Sequence, residues 1–181
     1  MNPSSAAPWS RPLAVTDVPA AGLDIEIVAD SGQRAALAEL CGLAGVDEAR
    51  AAFRIARRGR DGLRVEGEAR AKARQVCVVS LEPFATEIVE PFALDFAPGD
   101  PKPPGRGAPP IDWPDAGADG PDPIVDGRID LGAIAAEFIA LGVDPYPRKP
   151  GAAFEGADEA GAGISPFAAL KGLRGGGDKK G

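Results

Sequence analysis

The side chains that bear most directly on chemistry in this 181-residue chain are two cysteines, Cys41 and Cys77, and a run of arginines and lysines from Arg50 to Arg74. Histidine is absent. That absence removes Ser-His-Asp and Cys-His catalysis and the commonest metal ligand, and two cysteines fall short of a structural four-ligand zinc site. Carboxylate pairs exist, Asp126 with Asp130 and Glu87 with Glu90. Turn and capping chemistry accounts for the first pair, and neither sits in a recognisable site. The glycine-rich GRGAPP lacks the lysine and following Ser or Thr of a P-loop. The chain reads as non-enzymatic, with no cofactor and no small-molecule substrate.

The basic run is the stronger signal. Between residues 50 and 74, nine Lys or Arg stand against Asp61, Glu66 and Glu68, a local balance of +6 inside a chain whose formal charge is −7. Arg54, Arg57, Arg58, Arg60, Arg64, Arg70, Lys72 and Arg74 are the candidates for contact with a nucleic-acid backbone. Alternate residues of a strand lie about 7 Å apart, near the spacing of successive phosphates, so such a row could follow a nucleic-acid backbone without reading bases. The same stripe also reads as a solvated strand face whose charges keep a sheet from aggregating. Base stacking is not expected, because Phe84, Phe92 and Phe96 point inward by parity and the one tyrosine, Tyr146, falls in a proline-rich exit. Residues 82–160 have the opposite character, with 16 Asp or Glu against five Lys or Arg. That sign steers association with basic proteins.

These residues need a frame, and the longest alternating pattern supplies it. From Gly62 to Phe96 one face reads Leu63, Val65, Gly67, Ala69, Ala71, Ala73, Gln75, Cys77, Val79 and Leu81, and the intervening Arg64, Glu66, Glu68, Arg70, Lys72 and Arg74 are charged. Period two with that division predicts a half-buried strand. Glu82 and Pro83 turn the chain, and Phe84 to Phe96 repeats the pattern, with Pro91 pushing that strand towards an edge or bulge. Upstream, RRGRDG over Arg57–Gly62 reverses a strand running from Ala49 to Arg57. Three long strands in a meander follow: Ala49–Arg57, Leu63–Leu81 and Phe84–Phe96.

Shorter elements extend the frame. Residues 1–8 read as a disordered lead. Trp9–Val15 and Leu23, Ile25 and Ile27 read as strands, and Ser31 as the N-cap of a helix with Ala36, Leu37, Leu40, Cys41 and Leu43 on one stripe and Gly42 or Gly45 as its stop. An antiparallel α+β core is expected over 9–96. Residues 97–123, in which 14 of 27 are Pro or Gly, read as a linker or loop around Trp113. A helical segment packing on the core is expected over 124–173. There Asp130 caps a helix carrying Leu131, Ile134, Phe138 and Leu141, and Ser165 and Pro166 open a second one with Phe167, Leu170 and Leu173. Residues 174–181 read as a tail. The fold class is α+β, an antiparallel β-meander with a covering helix and one or two C-terminal helices. With no apolar run of membrane length and no basic or apolar leader at the N-terminus, a cytoplasmic protein with reduced thiols and no membrane contact is expected.

Three motifs occur together in one order: CVVSLEPF from Cys77 through Pro83 to Phe84, then Ile129-Asp130-Leu131 opening a helix with Glu137 and followed by DPYPRKPG, then Ser165-Pro166-Phe167-Ala168-Ala169-Leu170. In this arrangement the chain resembles the YceD family, bacterial and plastid proteins linked to accumulation and maturation of large-subunit ribosomal RNA. The resemblance implies a factor in large-subunit biogenesis, with that RNA or a pre-ribosomal particle as partner. An acidic adaptor that binds a basic ribosomal protein or assembly factor is the alternative. Many members carry C-x-x-C before the Pro-Phe turn, and some add further cysteines near the C-terminus, a set that suits zinc. Here Ser80 and DPYPRKPG occupy those places and Val79 stands where an arginine is usual, so no metal site is carried over.

Overall fold

A computed structural model of the chain describes residues 7–59, 61–99 and 120–153. In chain order its elements are β1 (Pro12–Ala14), β2 (Leu23–Val28), α1 (Ser31–Leu40), β3 (Gly45–Arg58), β4 (Gly62–Val76), β5 (Pro83–Pro98), β6 (Asp122–Ile124), β7 (Arg128–Asp130) and α2 (Leu131–Leu141), with a single 3-10 turn over Val15–Asp17. β2, β3, β4, β5 and β6 form one sheet in that spatial order. The first four strands pair antiparallel, while β6 joins β5 in parallel. β1 and β7 form a separate two-stranded antiparallel ribbon. The fold is α+β.

The alternation read along the sequence sets the two faces of the sheet. Ala49, Ala51, Phe53 and Ile55 of β3, Leu63, Val65, Ala69, Ala71 and Ala73 of β4, and Ile88, Phe92 and Phe96 of β5 are buried on one face, as period two requires. α2 packs against β4 and β5 on that face, and α1 against β3. The alanines of β4 leave room there for a helix as small-sided as LGAIAAEFIAL. Phe92 fixes the contact, with its ring 5.2 Å from that of Phe53 and 4.9 Å from that of Phe138. Gly67 lies between Phe53 and Phe92 in register, and a β-carbon there would strike the Ala52 carbonyl and the Phe92 ring. Gly132 has the same role in the first turn of α2, where the Trp9 backbone passes too closely for a side chain.

Several boundaries differ from those expected of the sequence, each for a physical reason. The strand read as Leu63–Leu81 ends at Val76. Beyond it the Val79 and Ser80 amides turn to the Cys77 sulfur, and Leu81 adopts φ 60°. The cap of α1 is Asp30 and not Ser31, through a capping box with Gln33. Leu40 and Leu141, placed on apolar stripes by spacing, are 58% and 69% exposed, each being the last residue of its helix, where no following turn packs over it. The segment read as a strand over Trp9–Val15 is extended only from Pro12, where β7 offers a partner, with Trp9 buried beside it. The stretch read as a linker over 97–123 contributes its ends to the sheet, since β5 continues to Pro98 and Asp122–Ile124 pairs with it. Trp113 and the helix expected from Ser165 lie outside the described residues.

Candidate nucleic-acid interface

The register of the sheet decides what surrounds each cation on its outer face. Across β2, β3, β4 and β5 one row reads Asp24, Arg54, Glu66 and Ala93, and the next Glu26, Ala52, Glu68 and Pro91. Then come Val28, Arg50, Arg70 and Val89, and after them Glu48, Lys72 and Glu87 on β3, β4 and β5. Arg64 lies beside Asp95 on β5. Acids therefore flank most of the cations across the strands, except in the row where Arg50 faces Arg70. The stripe that looks basic on β4 alone is mostly neutralised by β2, β3 and β5.

The expected RNA-contacting residues fall into two groups. Arg57, Arg58 and Arg64 are tied into the fold. Arg57 donates from Nε to the Val18 carbonyl at 2.8 Å and from Nη2 to the Val15 carbonyl at 3.2 Å, which ties the 3-10 turn to β3. Arg58 and Arg64 hold the two oxygens of Asp95 at 2.8 and 2.7 Å. The Asp95 side chain is only 5% exposed, and two guanidinium partners are what makes so enclosed a carboxylate tolerable.

Arg54, Arg70, Lys72 and Arg74 form the second group. Arg54 pairs with Asp24 at 3.3 Å, Lys72 with Glu48 at 2.9 Å, Arg74 with Asp47 at 3.3 Å, and Arg70 with Glu68. The Lys72 ammonium, donating to Glu48, holds that carboxyl below its usual range. Most of these side chains are half or more exposed, and water screens such pairs heavily, so a phosphate can compete for the cation. Arg60 lies outside the described residues. Arg50, not among the residues expected to touch RNA, is exposed directly across from Arg70. Its alternation along β3 carried that signal. The opposite end of the outer face is a shallow depression floored by Ala52 and Gly67 and edged by Asp24, Glu26, Glu66, Glu68 and Arg54.

Of the motif residues, Cys77, Pro83 and Phe84 lie at the end of the sheet where β4 gives way to β5. Cys77 is fully enclosed, and its sulfur accepts from the Val79 and Ser80 amides, both at 3.4 Å. Its own amide donates to the Glu82 carbonyl. Ser80, by side chain and amide, and the Lys149 amide lower the Cys77 pKa to about 6 against the opposing effect of burial. Pro83 opens β5 opposite Val76, and Phe84 beside it is half-buried. The segment after α2 returns to this corner. The Asp144 carbonyl accepts from the Gln75 amide nitrogen, the Pro147 carbonyl from the Val78 amide, both at 2.9 Å, and Lys149 pairs with Glu82 at 2.8 Å.

Asp130 closes the other junction. Its Oδ1 accepts from the Gly132 and Ala133 amides at the start of α2 and from the Arg11 amide, and its Oδ2 from the Ser10 hydroxyl. Burial opposes ionisation of this carboxyl, and the four donors together hold it below its usual range. Leu131 is fully buried and Glu137 is exposed. Pro166 and Phe167 lie outside the described residues.

A metal does not fit this corner. The Cys77 turn has the amide-to-sulfur geometry of a metal-binding knuckle, but its second ligand position is Ser80. Among the described residues no group of three His, Cys, Asp or Glu side chains is placed to hold an ion. Cys41 and Cys77 are both free thiols. No helix among the described residues is long and apolar enough to cross a membrane.

In comparisons with known proteins, a family model described as large ribosomal RNA subunit accumulation protein YceD matches residues 65–174, more than half of the chain. Neither the search of curated proteins nor that of solved structures returned a match.

Proposed function

The chain belongs to the YceD family of large ribosomal RNA subunit accumulation proteins, and from that membership we propose that it is a non-catalytic cytoplasmic factor supporting accumulation or processing of large-subunit ribosomal RNA. The observation that carries this reading is the span of the match. Residues 65–174 take in most of β4, the Cys77 turn, β5 and α2, and of the motif residues in that span Cys77, Pro83, Asp130 and Leu131 stand at the junctions that join β4 to β5 and open α2. The partner is the RNA or the pre-ribosomal particle that contains it. Contact falls to the exchangeable cations at the Cys77 end of the outer face, Arg50, Arg70, Lys72 and Arg74, while Arg57, Arg58 and Arg64 keep structural duties. Such contact positions a backbone and reads no sequence.

The test is the ratio of mature large-subunit to small-subunit ribosomal RNA in cells depleted of the protein. A fall on depletion, restored by the native chain and not by an R50E/R70E/K72E/R74E variant, is the expected result. An unchanged ratio on depletion overturns the reading. One observation favours the adaptor alternative, the acid-edged depression between β2 and β4, whose charge suits a basic ribosomal protein or assembly factor. Under that alternative an E26K/E66K/E68K variant fails to restore the ratio and the arginine variant succeeds.

A further inference from the structure

The strongest unassigned surface is the short segment that leaves α2 and crosses the Cys77 corner, Asp144-Pro145-Tyr146-Pro147-Arg148-Lys149-Pro150. Tyr146 is 74% exposed, although it is the only tyrosine of the chain and the phenylalanines of β3 and β5 turn inward. Its position is nevertheless tightly set. The Tyr146 amide donates to Asp144 Oδ1 at 2.8 Å, and prolines on both sides fix the neighbouring φ angles. The Asp144 and Pro147 carbonyls are held by β4 and the Cys77 turn, and Lys149 is held by Glu82. A tyrosine presented on so constrained a backbone has lost most of its freedom before any ligand arrives.

The surroundings indicate what that ligand is. Arg148 is exposed, and among the described residues it has no hydrogen bond or ion pair. Only Pro147 separates Tyr146 from Arg148, a spacing that suits one group stacking on a base and the other meeting the adjoining phosphate. Val78 and Leu81 are exposed on the adjoining turn, with Leu81 held in the left-handed region at φ 60°. The Val78 amide donates to the Pro147 carbonyl, which ties this turn to the segment next to Tyr146. Lys72 and Arg74, with Arg50 and Arg70 beyond them, lie at the same end of the sheet. An aromatic ring, an unpaired guanidinium and a flanking cation row are together the chemistry of single-strand nucleic-acid binding.

We propose that the segment 144–150 is a single-stranded RNA site, in which Tyr146 stacks on an unpaired base and Arg148 contacts the adjoining phosphate. It deepens the ribosomal reading, on which the identity of the nucleic acid rests. It also supplies the stacking group that the inward phenylalanines cannot.

The test is fluorescence anisotropy of the full chain with a labelled oligouridine of about a dozen nucleotides and with a duplex RNA of equal length. Loss of a stacked base weakens single-strand binding about tenfold. Tyr146→Ala is expected to show that loss for the single strand and little change for the duplex, with Tyr146→Phe binding as native. Arg148→Glu is expected to weaken the single strand and reduce the salt dependence. The melting temperature of Tyr146→Ala should match the native value, because an exposed ring leaves no cavity. Equal single-strand affinity in the native and Tyr146→Ala proteins overturns the site. So does native protein that restores ribosomal RNA in cells yet binds no single strand, in which case the biogenesis reading stands and the surface belongs to a protein partner. Conversely, if Tyr146→Ala weakens binding but depletion leaves ribosomal RNA unchanged, the site stands and the biogenesis reading falls.

Discussion

Cys77 shows how one side chain can record the network around it. The Ser80 side chain and amide, then the Lys149 and Val79 amides, donate towards its sulfur and lower its pKa to about 6 against the opposing effect of burial. An ordinary thiol ionises near 8.5. Because the folded value is the lower one, the contribution of the thiolate to stability is fully present above the unfolded value. It is lost as the pH falls through the folded value. The native protein is therefore expected to become less stable to urea between about pH 8.5 and pH 6, by an increment that Cys77→Ala removes. Urea midpoints measured across that range decide it, and equal slopes in the two proteins would contradict the donor geometry. Full enclosure of the sulfur also predicts slow alkylation despite the low pKa, since reactivity needs access as well as ionisation.

At the scale of elements, the packing of α2 on β4 and β5 turns on absent side chains. Gly67 lets Phe53 and Phe92 meet across β4, and Ala69, Ala71 and Ala73 keep the helix close. Gly67→Val is expected to destabilise by about 2–3 kcal/mol, the cost of overpacking a filled core, read as a lower urea midpoint with an unchanged slope. The three long strands were legible in the sequence because an alternation kept up over fifteen residues fits a half-buried strand and hardly any other element. β6 and β7 were not, since three residues carry no period and Pro123 argues against a strand. The end of β4 was missed for the opposite reason. Cys77, Val79 and Leu81 continue the pattern, but their turn is set by amide-to-sulfur bonds that periodicity does not encode. The candidate interface was half legible. The cations are plain in one strand, whereas the acids that pair with them come from register across β2, β3 and β5.

For the whole molecule that pairing has a measurable consequence. Each phosphate neutralised on a single strand contributes about −0.7 to the slope of log affinity against log salt. A row of eight unpaired cations would give a slope beyond about −5, whereas contacts at Arg148, Arg50, Arg70, Lys72 and Arg74 predict about −3.5 at most. Titrations between low and physiological salt separate the two. The ribbon of β1 and β7 has a different kind of consequence, one of time. Leu13 pairs with Ile129, and Asp130 holds Ser10 and Arg11, so the first strand has no partner until α2 is being made. At 5–20 residues per second the delay is on the order of 10 s. The meander can close during that interval, because its hairpins are local, while Trp9 waits for its cover. A nascent chain arrested shortly before Arg128 should already protect β3 and β4 from protease and leave the Trp9 segment open. Synthesis thus fastens the described fold from the meander outward, and the ribbon of β1 and β7 is joined last.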